Sequence, residues 1–451
     1  MDTTVEGLCG LLSRHGLLPA DEVRQLHQRW QQEAGPAAGN LEAFRQWLVD
    51  HNHATDFQLS QLLRGRADHI FFNDYKLLDR IGRGRMAGVY KAVHTLGQTV
   101  AIKVLPPSRA KDPQALGRFQ REARMAMKLK HPNVVHTFHP GQANGLHYLV
   151  MEYLDGETLD EVLKRRGRLP PVEAARLIYQ ALQGLAHIHE QDMVHRDLEP
   201  ANLMLVPPVR SGEPDTTLQA TLKILDIGLG RSLFDEGGPE AANPVEQTQA
   251  GTLIGTPDYL APEQARDAHQ ADIRSDIYSL GCVLYHCLAG QPPFPDRNPV
   301  RQMMRHATEA ARPLKEFQPD IPDVLQEIVN GMMAKDPAQR YPTPDRAARA
   351  LRAFLFSEDQ TPRPTAPEQR SPEYMRWLEQ NAERTAAGEP ARPEAPLARP
   401  EPLRAAASVA PGEAGLYLNR RDGLMMALGA AGVLLAEGTA WLLVRLLRRR
   451  E

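Results

Sequence analysis

Residues 1–70 carry apolar side chains at helical spacing, and the pattern predicts four short helices. Pro19 suits the first position of the second helix, and Asn40 and Thr55 can cap the third and the fourth. The apolar faces would consist of Val5, Leu8, Leu11 and Leu12, then Val23, Leu26 and Trp30, then Leu41, Phe44, Trp47 and Leu48, and last Phe57, Leu59, Leu62 and Leu63. We expect a small helical domain that packs on itself, or a docking or dimerising module, and no catalytic residues.

From Tyr75 onward the apolar positions alternate as in strands, and later they follow longer helical periods. Residues 75–155 are predicted to be rich in strands, with one helix at about Asp112–Leu129. Residues 157–355 are predicted to be mostly helical with short strands. The predicted fold class for residues 75–355 is therefore α+β, with a cleft between a small strand-rich N-lobe and a larger helical C-lobe.

Residues 357–420 are dense in Pro, Ala, Glu and Arg and poor in large apolar side chains. Such a segment cannot bury enough apolar surface to offset the entropy lost on ordering, so it is predicted to be a disordered linker. Within it, the apolar cluster Tyr374–Leu378 could form a short helix or a docking motif.

Residues 423–444 form an apolar stretch whose one charged residue is Glu437. At 1.5 Å per residue, about 22 helical residues cross a hydrocarbon core of ~30 Å. A single-pass tail anchor explains this length and places Trp441 near one edge. The alternatives are a buried helix, an interfacial hairpin and a re-entrant or surface-lying helix.

The residues in and around the apolar stretch bear on its partners and its orientation. The arginines that follow it outnumber Arg420 and Arg421 before it, so the positive-inside rule would keep the C-terminus in the cytoplasm, which conflicts with a spanning helix behind a cytoplasmic domain. We still favour the tail anchor, because a large folded domain without a signal peptide is not expected to cross the membrane. Small residues would let two such helices approach closely and form a homodimer: Gly429, Gly432, Ala436 and Ala440.

Composition and charge narrow the class of protein. The apolar fraction of 42% excludes a mainly disordered or fibrous chain. With 53 basic and 56 acidic residues among 451, the net charge of −3 argues against nucleic-acid binding as the main role. The three cysteines, Cys9, Cys282 and Cys287, match neither a disulfide framework nor a metal site, so a reducing cytoplasm is the expected compartment.

The first motif that indicates chemistry is a glycine-rich turn between two predicted strands. Its glycines would let backbone amides approach a phosphate chain, although such turns are common and weak signals alone. An apolar strand then ends in Lys103, and a lysine there needs an anionic partner, for which Glu122 on the following helix is the natural candidate. The turn itself reads Ile81, Gly82, Arg83, Gly84, Arg85, Met86, Ala87, Gly88 and Val89.

A stronger signal is a set of four polar motifs that follow one another in a fixed order. Single Asp residues in loops are usually turn residues, but this ordered set would hardly arise by chance. The motifs are His195–Asn202, which reads HRDLEPAN, then Leu222–Gly228, then Gly255–Glu263 and last Asp276–Gly281.

With these motifs, the chain from about Tyr75 to Phe354 resembles the eukaryotic-type (Hanks-type) Ser/Thr protein kinase family, particularly its bacterial branch. The resemblance implies the bilobal kinase fold, ATP and Mg²⁺ as cofactors, and protein substrates. It also implies transfer of the γ-phosphate of ATP to Ser or Thr hydroxyls, including autophosphorylation, in bacterial signalling.

The resemblance also assigns roles in nucleotide binding. The glycine-rich loop would cover the phosphates, Lys103 would hold the α- and β-phosphates, and Glu122 would orient it. Met151 corresponds to the gatekeeper, and Glu152 and Leu154 would offer hinge backbone groups to adenine. The nucleotide site would thus comprise Ile81, Gly82, Arg83, Gly84, Arg85, Met86, Ala87, Gly88, Val89, Ala101, Lys103, Glu122, Met151, Glu152 and Leu154.

The resemblance places the catalytic residues in two further motifs. Asp197 would orient the substrate hydroxyl or accept its proton, and Asn202 and Asp226 would hold Mg²⁺. The expected catalytic set is therefore Lys103, Asp197, Asn202 and Asp226.

Two later positions also match the family. Thr256 matches the threonine that marks Ser/Thr substrates, and Glu263 is expected to form a structural ion pair with Arg340.

Three positions depart from the family pattern. Ala87 replaces the third glycine of the loop, Ile227 replaces a phenylalanine, and Glu199 replaces a lysine close to the transferring phosphate. The charge reversal at Glu199 predicts slower transfer, or a rearranged contact with a basic substrate residue. Two alternatives to an active kinase are therefore an ATP-binding pseudokinase scaffold that recruits partners and a membrane adaptor with a vestigial kinase fold.

Two insertions, Val206–Ala220 and Phe234–Gln247, are predicted to be surface loops, and the second lengthens the activation segment. Thr248 and Thr252 follow it in a stretch that resembles the autophosphorylated segment of bacterial kinases. A phosphate there would pair with Arg196 and order the loop.

Overall fold

The fold is taken from a computed structural model, which describes residues 4–83, 88–206, 216–226, 257–266, 271–357 and 371–386. Several predictions from the sequence concern residues outside these ranges, namely Ile227, Phe234–Gln247, Thr248, Thr252, Thr256 and the apolar stretch 423–444. Among the helices within the ranges, none combines the length and the apolar character needed to cross a bilayer.

Four helices fold residues 4–70 around one apolar core that includes Leu8, Trp30, Phe44 and Leu59. Both predicted caps are confirmed, because Asn40 accepts the backbone N–H of Ala43 and Thr55 forms a reciprocal capping box with Gln58. Pro19 precedes the second helix instead of beginning it. The helices are α1 (Val5–Arg14), α2 (Ala20–Ala34), α3 (Leu41–Asp50) and α4 (Asp56–Leu63).

The N-lobe is an antiparallel six-stranded sheet in the order β1-β2-β3-β4-β6-β5. The helix predicted at Asp112–Leu129 is confirmed, although it is shorter and follows a single turn of helix. The strands are β1 (Phe71–Phe72), β2 (Tyr75–Arg83), β3 (Gly88–His94), β4 (Thr99–Val104), β5 (Thr137–Ala143) and β6 (Leu146–Glu152), and the helices are α5 (Pro107–Ala110) and α6 (Pro113–Ala126).

The C-lobe is mostly helical around one large apolar core, and its short strands β7 (Glu157–Thr158), β8 (Leu203–Val206) and β9 (Thr221–Ile224) form a second sheet. The long helix α8 packs against α10, α13 and β9 within this core. The helices are α7 (Leu159–Arg166), α8 (Pro171–His189), α9 (Pro262–Arg266), α10 (Ile273–Ala289), α11 (Pro299–Thr308), α12 (Asp323–Met332) and α13 (Pro344–Ser357).

A last helix, α14 (Pro372–Ala386), packs on the N-lobe sheet, within the segment 357–420 for which the sequence predicted a disordered linker with a possible short helix at Tyr374–Leu378. Tyr374 is fully buried, and the ring of Trp377 lies edge-on to His94 at 4.4 Å between centroids. Burial, with a smaller effect from His139, lowers the pKa of His94 to about 4, so His94 is neutral at physiological pH. The aromatic side chains of the cluster Tyr374–Leu378 supply the apolar area that the surrounding Pro- and Ala-rich sequence lacks.

Candidate active site

Asp197, Asn202 and Asp226, which were predicted to be catalytic, lie on neighbouring segments at the start of the C-lobe. A turn of 3₁₀-helix at Pro200–Asn202 directs Asn202 back toward the loop that precedes it. Its Nδ2 donates to the backbone oxygen of Asp197 at 2.7 Å and to the Asp197 carboxylate at 3.4 Å. The backbone oxygen of Asn202 accepts the N–H of Leu225 at 2.9 Å, which places Asp226 beside the same loop.

The loop that carries Asp197 is fixed by a buried carboxylate to which the sequence alone assigned no role. Asp276, in the first turn of α10, is fully buried and accepts the backbone N–H groups of His195 at 2.8 Å and Arg196 at 2.7 Å. Its carboxylate also contacts Nε2 of His189 at 3.0 Å. Arg196 has a φ of +65°, a conformation that needs such contacts to hold it. The signal in the sequence was the fourth ordered motif, which begins at Asp276.

His195 is fully buried, and its imidazole joins the two segments that contain Asp197 and Asp226. Nε2 lies 2.8 Å from the backbone oxygen of Leu225, which can only accept, so Nε2 carries the proton. Nδ1 is then free to accept the backbone N–H of Asp197 at 3.3 Å. This neutral tautomer links Asp197 to the segment that ends at Asp226.

Lys103 forms an ion pair with Asp226, with 2.8 Å between Nζ and Oδ1. The lysine side chain is 8% exposed and the aspartate side chain 38%, so the lysine is buried and the aspartate is partly open to solvent. Asp226 has a φ of +53°, which turns its carboxylate out of the line of the preceding strand. The sequence predicted Glu122 as the partner. Glu122 lies on α6, but its side chain is outside the described part of the chain, so that pair stays a prediction.

Four of the residues predicted for the nucleotide site belong to one apolar cluster, whereas Ile81 does not. Ala101 and Met151 are buried and face each other across β4 and β6, and Val89 and Leu154 pack against the same cluster. Leu225, which the sequence analysis did not select, also packs against this cluster. An apolar surface of this kind suits the faces of a purine ring.

The glycine-rich turn joins β2 to β3, and its two stems are described. Gly82 pairs with Val89, Arg83 pairs with Gly88, and Ile81 is 47% exposed. A methyl group added at Gly82 would lie 3.4 Å from Cβ of Val89, so the two strands approach closely there. The residues between the stems, 84–87, and the side chain of Arg83 lie outside the described residues, and their contacts with phosphate stay predictions.

Glu152 has a side-chain role that the sequence analysis missed. The prediction used its backbone at the hinge, but its carboxylate accepts the backbone N–H of His136 at 2.7 Å and pairs with Nζ of Lys223 at 2.8 Å. The side chains of Lys223 and Glu152 are only 16% and 14% exposed. Because Lys223 lies on β9, which leads to Asp226, the pair connects the hinge to the segment that is predicted to hold Mg²⁺.

Glu199 is half-buried and belongs to the catalytic loop, where its backbone oxygen accepts the N–H of Asn202 at 2.9 Å. Burial raises the pKa of Tyr259, and the negative charges of Asp258 and Glu199 add to this effect.

The predicted ion pair between Glu263 and Arg340 is confirmed. The guanidinium binds the carboxylate at two points, with distances of 2.6 and 2.8 Å, and the arginine side chain is fully buried. This pair joins α9, which follows the activation segment, to the end of the C-lobe.

The two-lobed architecture and this convergence of lysine, aspartate and asparagine are those of a protein kinase. The family model for the protein kinase domain matches residues 75–353, so the chain belongs to the protein kinase family. The resemblance noted from the sequence motifs is confirmed.

The chain is similar to curated bacterial serine/threonine-protein kinases, which agrees with the resemblance to the bacterial branch of the family. The chain is 38% identical to a probable serine/threonine-protein kinase of Streptomyces coelicolor, over 62% of this chain and 40% of that protein. It is 39% identical to the serine/threonine-protein kinase PknB of Mycolicibacterium smegmatis, over 65% of this chain and 44% of that protein. The chain thus spans about two fifths of the length of these relatives.

A solved structure supports the fold. The crystal structure of Rad53 1–466 in complex with AMP-PNP matches with a TM-score of 0.50 and 23% identity, over 66% of this chain and 70% of that one.

Proposed function

We propose that this chain is a serine/threonine protein kinase that transfers the γ-phosphate of ATP to protein hydroxyls, including its own. The observation that carries the proposal is the convergence of Lys103, Asp226, Asn202 and Asp197 beside one apolar cluster between two lobes. The names of the curated relatives agree with this activity.

The donor atoms of the site suit Mg²⁺ and ATP. The open carboxylate of Asp226 and the amide oxygen of Asn202 are hard oxygen ligands, and Mg²⁺ in proteins is commonly held by one or two such groups together with substrate phosphates. Among the described residues, no group of three or more His, Cys, Asp and Glu forms a separate cage for a metal. When bound, Mg²⁺ would offset the negative charge of the phosphates.

The protein residues divide the remaining tasks. Lys103 supplies a buried positive charge for the phosphates, and the cluster that contains Ala101 and Met151 holds the base. Asp197 accepts the proton of the substrate hydroxyl, and the Nδ2 group of Asn202 holds it in position. Because the chemistry is mostly positioning and charge neutralisation, these residues suffice without a covalent intermediate.

The test is incubation of the full-length chain with Mg-ATP, alone and with a generic protein substrate, followed by mapping of phosphosites by mass spectrometry. We expect phosphoserine and phosphothreonine. The map of phosphosites would also show whether Thr248 and Thr252 are modified. The Asp197→Asn variant is the background control. Nucleotide binding without transfer that depends on Asp197 would overturn the proposal and favour a pseudokinase scaffold.

The presence of Glu199 where the kinase family has a lysine favours a pseudokinase scaffold as a second candidate function. If its carboxylate opposes the charge of the γ-phosphate in an active kinase, Glu199→Lys should raise kcat more than it lowers KM for ATP, because the contact acts on charge in the transition state. Glu199→Gln, which removes the charge alone, should give an intermediate gain. An unchanged or lower kcat in both variants would instead assign Glu199 to substrate binding.

We also propose that the stretch 423–444 anchors the chain to the cytoplasmic face of the membrane and brings two copies together, with the kinase domain on the side that supplies ATP. The apolar length of the stretch and its small residues support this. Membranes from cells that express the full chain should release it only with detergent, whereas a variant that ends at Asp422 should stay in the supernatant. Release of the full chain by high salt or carbonate would exclude a spanning helix.

A further inference from the structure

The helical domain is attached to the strand that leads into the glycine-rich loop. The Gln58 side chain, 3% exposed, donates from Nε2 to the backbone oxygen of Leu77 at 2.7 Å. The hydroxyl of Thr55 donates to the backbone oxygen of Leu78. The register between β2 and β3 shifts between Leu77 and Asp79, so Leu78 is the extra residue of a bulge. Thr55, the N-cap of α4, thus binds the backbone carbonyl of Leu78, the residue that the bulge leaves unpaired between β2 and β3.

The same helix also contacts the strand that leaves the glycine-rich loop. The ring of Phe57, which the sequence assigned to the core of the helical domain, instead packs against Tyr90 on β3 with 5.6 Å between centroids. The Tyr90 ring in turn lies against Gly88, where an added methyl group would be 2.8 Å from Cε2 and from the phenol oxygen. A continuous packing path therefore leads from α4 through Tyr90 to the first residue of β3.

These contacts attach both stems of the loop to one rigid body. The core that α4 shares with α1, α2 and α3 includes Leu8, Phe44 and Leu59, none of which is exposed. A β-hairpin whose outer face has such a support cannot twist freely, because movement of the stems would break the Gln58 and Thr55 hydrogen bonds and separate two aromatic rings.

We propose that the helical domain fixes the ends of β2 and β3 that carry the glycine-rich loop and so sets the affinity for the phosphates of ATP, and that Phe57 is the positioning residue. This inference rests on the proposed nucleotide binding, but it assigns a role to residues that precede the matched kinase domain. Phe57 acts through Tyr90 and Gly88. It should therefore affect the affinity for phosphates and leave the affinity for the adenine base alone.

The test compares Mg-ATP with adenosine, using calorimetry on the full-length chain. We expect Phe57→Ala to raise the Kd for Mg-ATP and the KM for ATP about three- to tenfold, in line with the worth of an aromatic pair, while kcat changes less. The Kd for adenosine should not change, and Phe57→Tyr should restore the affinity for Mg-ATP. Phe57→Leu, which keeps most of the apolar volume, provides a second variant if Phe57→Ala does not fold.

Phe44→Leu is the matched control, because Phe44 lies in the core of the helical domain with Trp30 and Trp47. This variant should lower the Tm without changing the ratio of the affinity for Mg-ATP to the affinity for adenosine. Equal weakening of Mg-ATP and adenosine binding by Phe57→Ala would overturn the inference, and so would unchanged Mg-ATP binding by that variant. Failure of the wild-type chain to bind Mg-ATP would instead overturn the proposed function and the inference with it.

Discussion

Replacement of Asp197 by asparagine is expected to lower kcat for phosphate transfer about 10²- to 10⁴-fold, the range found when a positioned general base is lost. Asparagine has the same shape, and its amide oxygen can still accept the hydrogen bond from Nδ2 of Asn202, which lies 3.4 Å from the present carboxylate. The neutral amide cannot take a proton from the substrate hydroxyl. The affinity for Mg-ATP should stay unchanged, because Lys103 and Asp226 are untouched.

The measurement is single-turnover transfer of labelled phosphate, beside direct binding of Mg-ATP to both proteins. Asp192→Asn is a suitable control, because Asp192 is an exposed residue close to the same loop with a φ of +55°, which asparagine tolerates well. We expect this control to transfer phosphate at the wild-type rate. Retention of full kcat by Asp197→Asn would show that another group accepts the proton and that the assignment of Asp197 is wrong.

Much of the site could be predicted because the responsible residues are close together in the sequence. Asp197 and Asn202 could be selected because the motif that contains them both resembles that of the kinase family, and the structure adds the hydrogen bond between them. The caps at Asn40 and Thr55 could be recognised from residue type and spacing alone, because each depends on a backbone group three residues away.

Contacts between distant segments could not be predicted in the same way. Glu152 and Lys223 are separated by 71 residues, and nothing in either local pattern indicates that their side chains meet. For Lys103 the sequence indicated the need for an anion, but the choice between Asp226 and Glu122 depends on how α6 packs. The helical pattern placed Phe57 in the core of the helical domain, and no pattern indicated a partner for Trp377, because the sheet on which both rings pack is formed by distant segments.

The largest loss of stability is expected from Arg340→Met, about 3–5 kcal/mol in the free energy of unfolding, because it leaves a buried carboxylate without its cation. The guanidinium also donates to three backbone oxygens, those of Ala334 at 2.7 Å, Arg274 at 3.0 Å and Lys335 at 3.2 Å. It lies 4.8 Å from the centre of the Tyr278 ring as well. Lysine cannot reproduce this planar set of donors, so Arg340→Lys should recover only part of the loss.

Urea unfolding at several pH values tests the origin of this loss. Burial alone would raise the pKa of Glu263, but the hydrogen bonds from Arg340 and Ser275 outweigh burial and lower it below the usual value of 4.5. A lowered pKa means that the ion pair contributes its full stability at neutral pH and loses it as the pH falls below about 4.5. The difference in the free energy of unfolding between the wild-type chain and Arg340→Met should therefore become smaller as the solution is acidified.

The control is Arg346→Met, on the exposed face of α13, which should change the free energy of unfolding by no more than ~0.5 kcal/mol at any pH. A loss for Arg340→Met that is small at neutral pH, or that does not vary with pH, would contradict a dominant role for the ion pair.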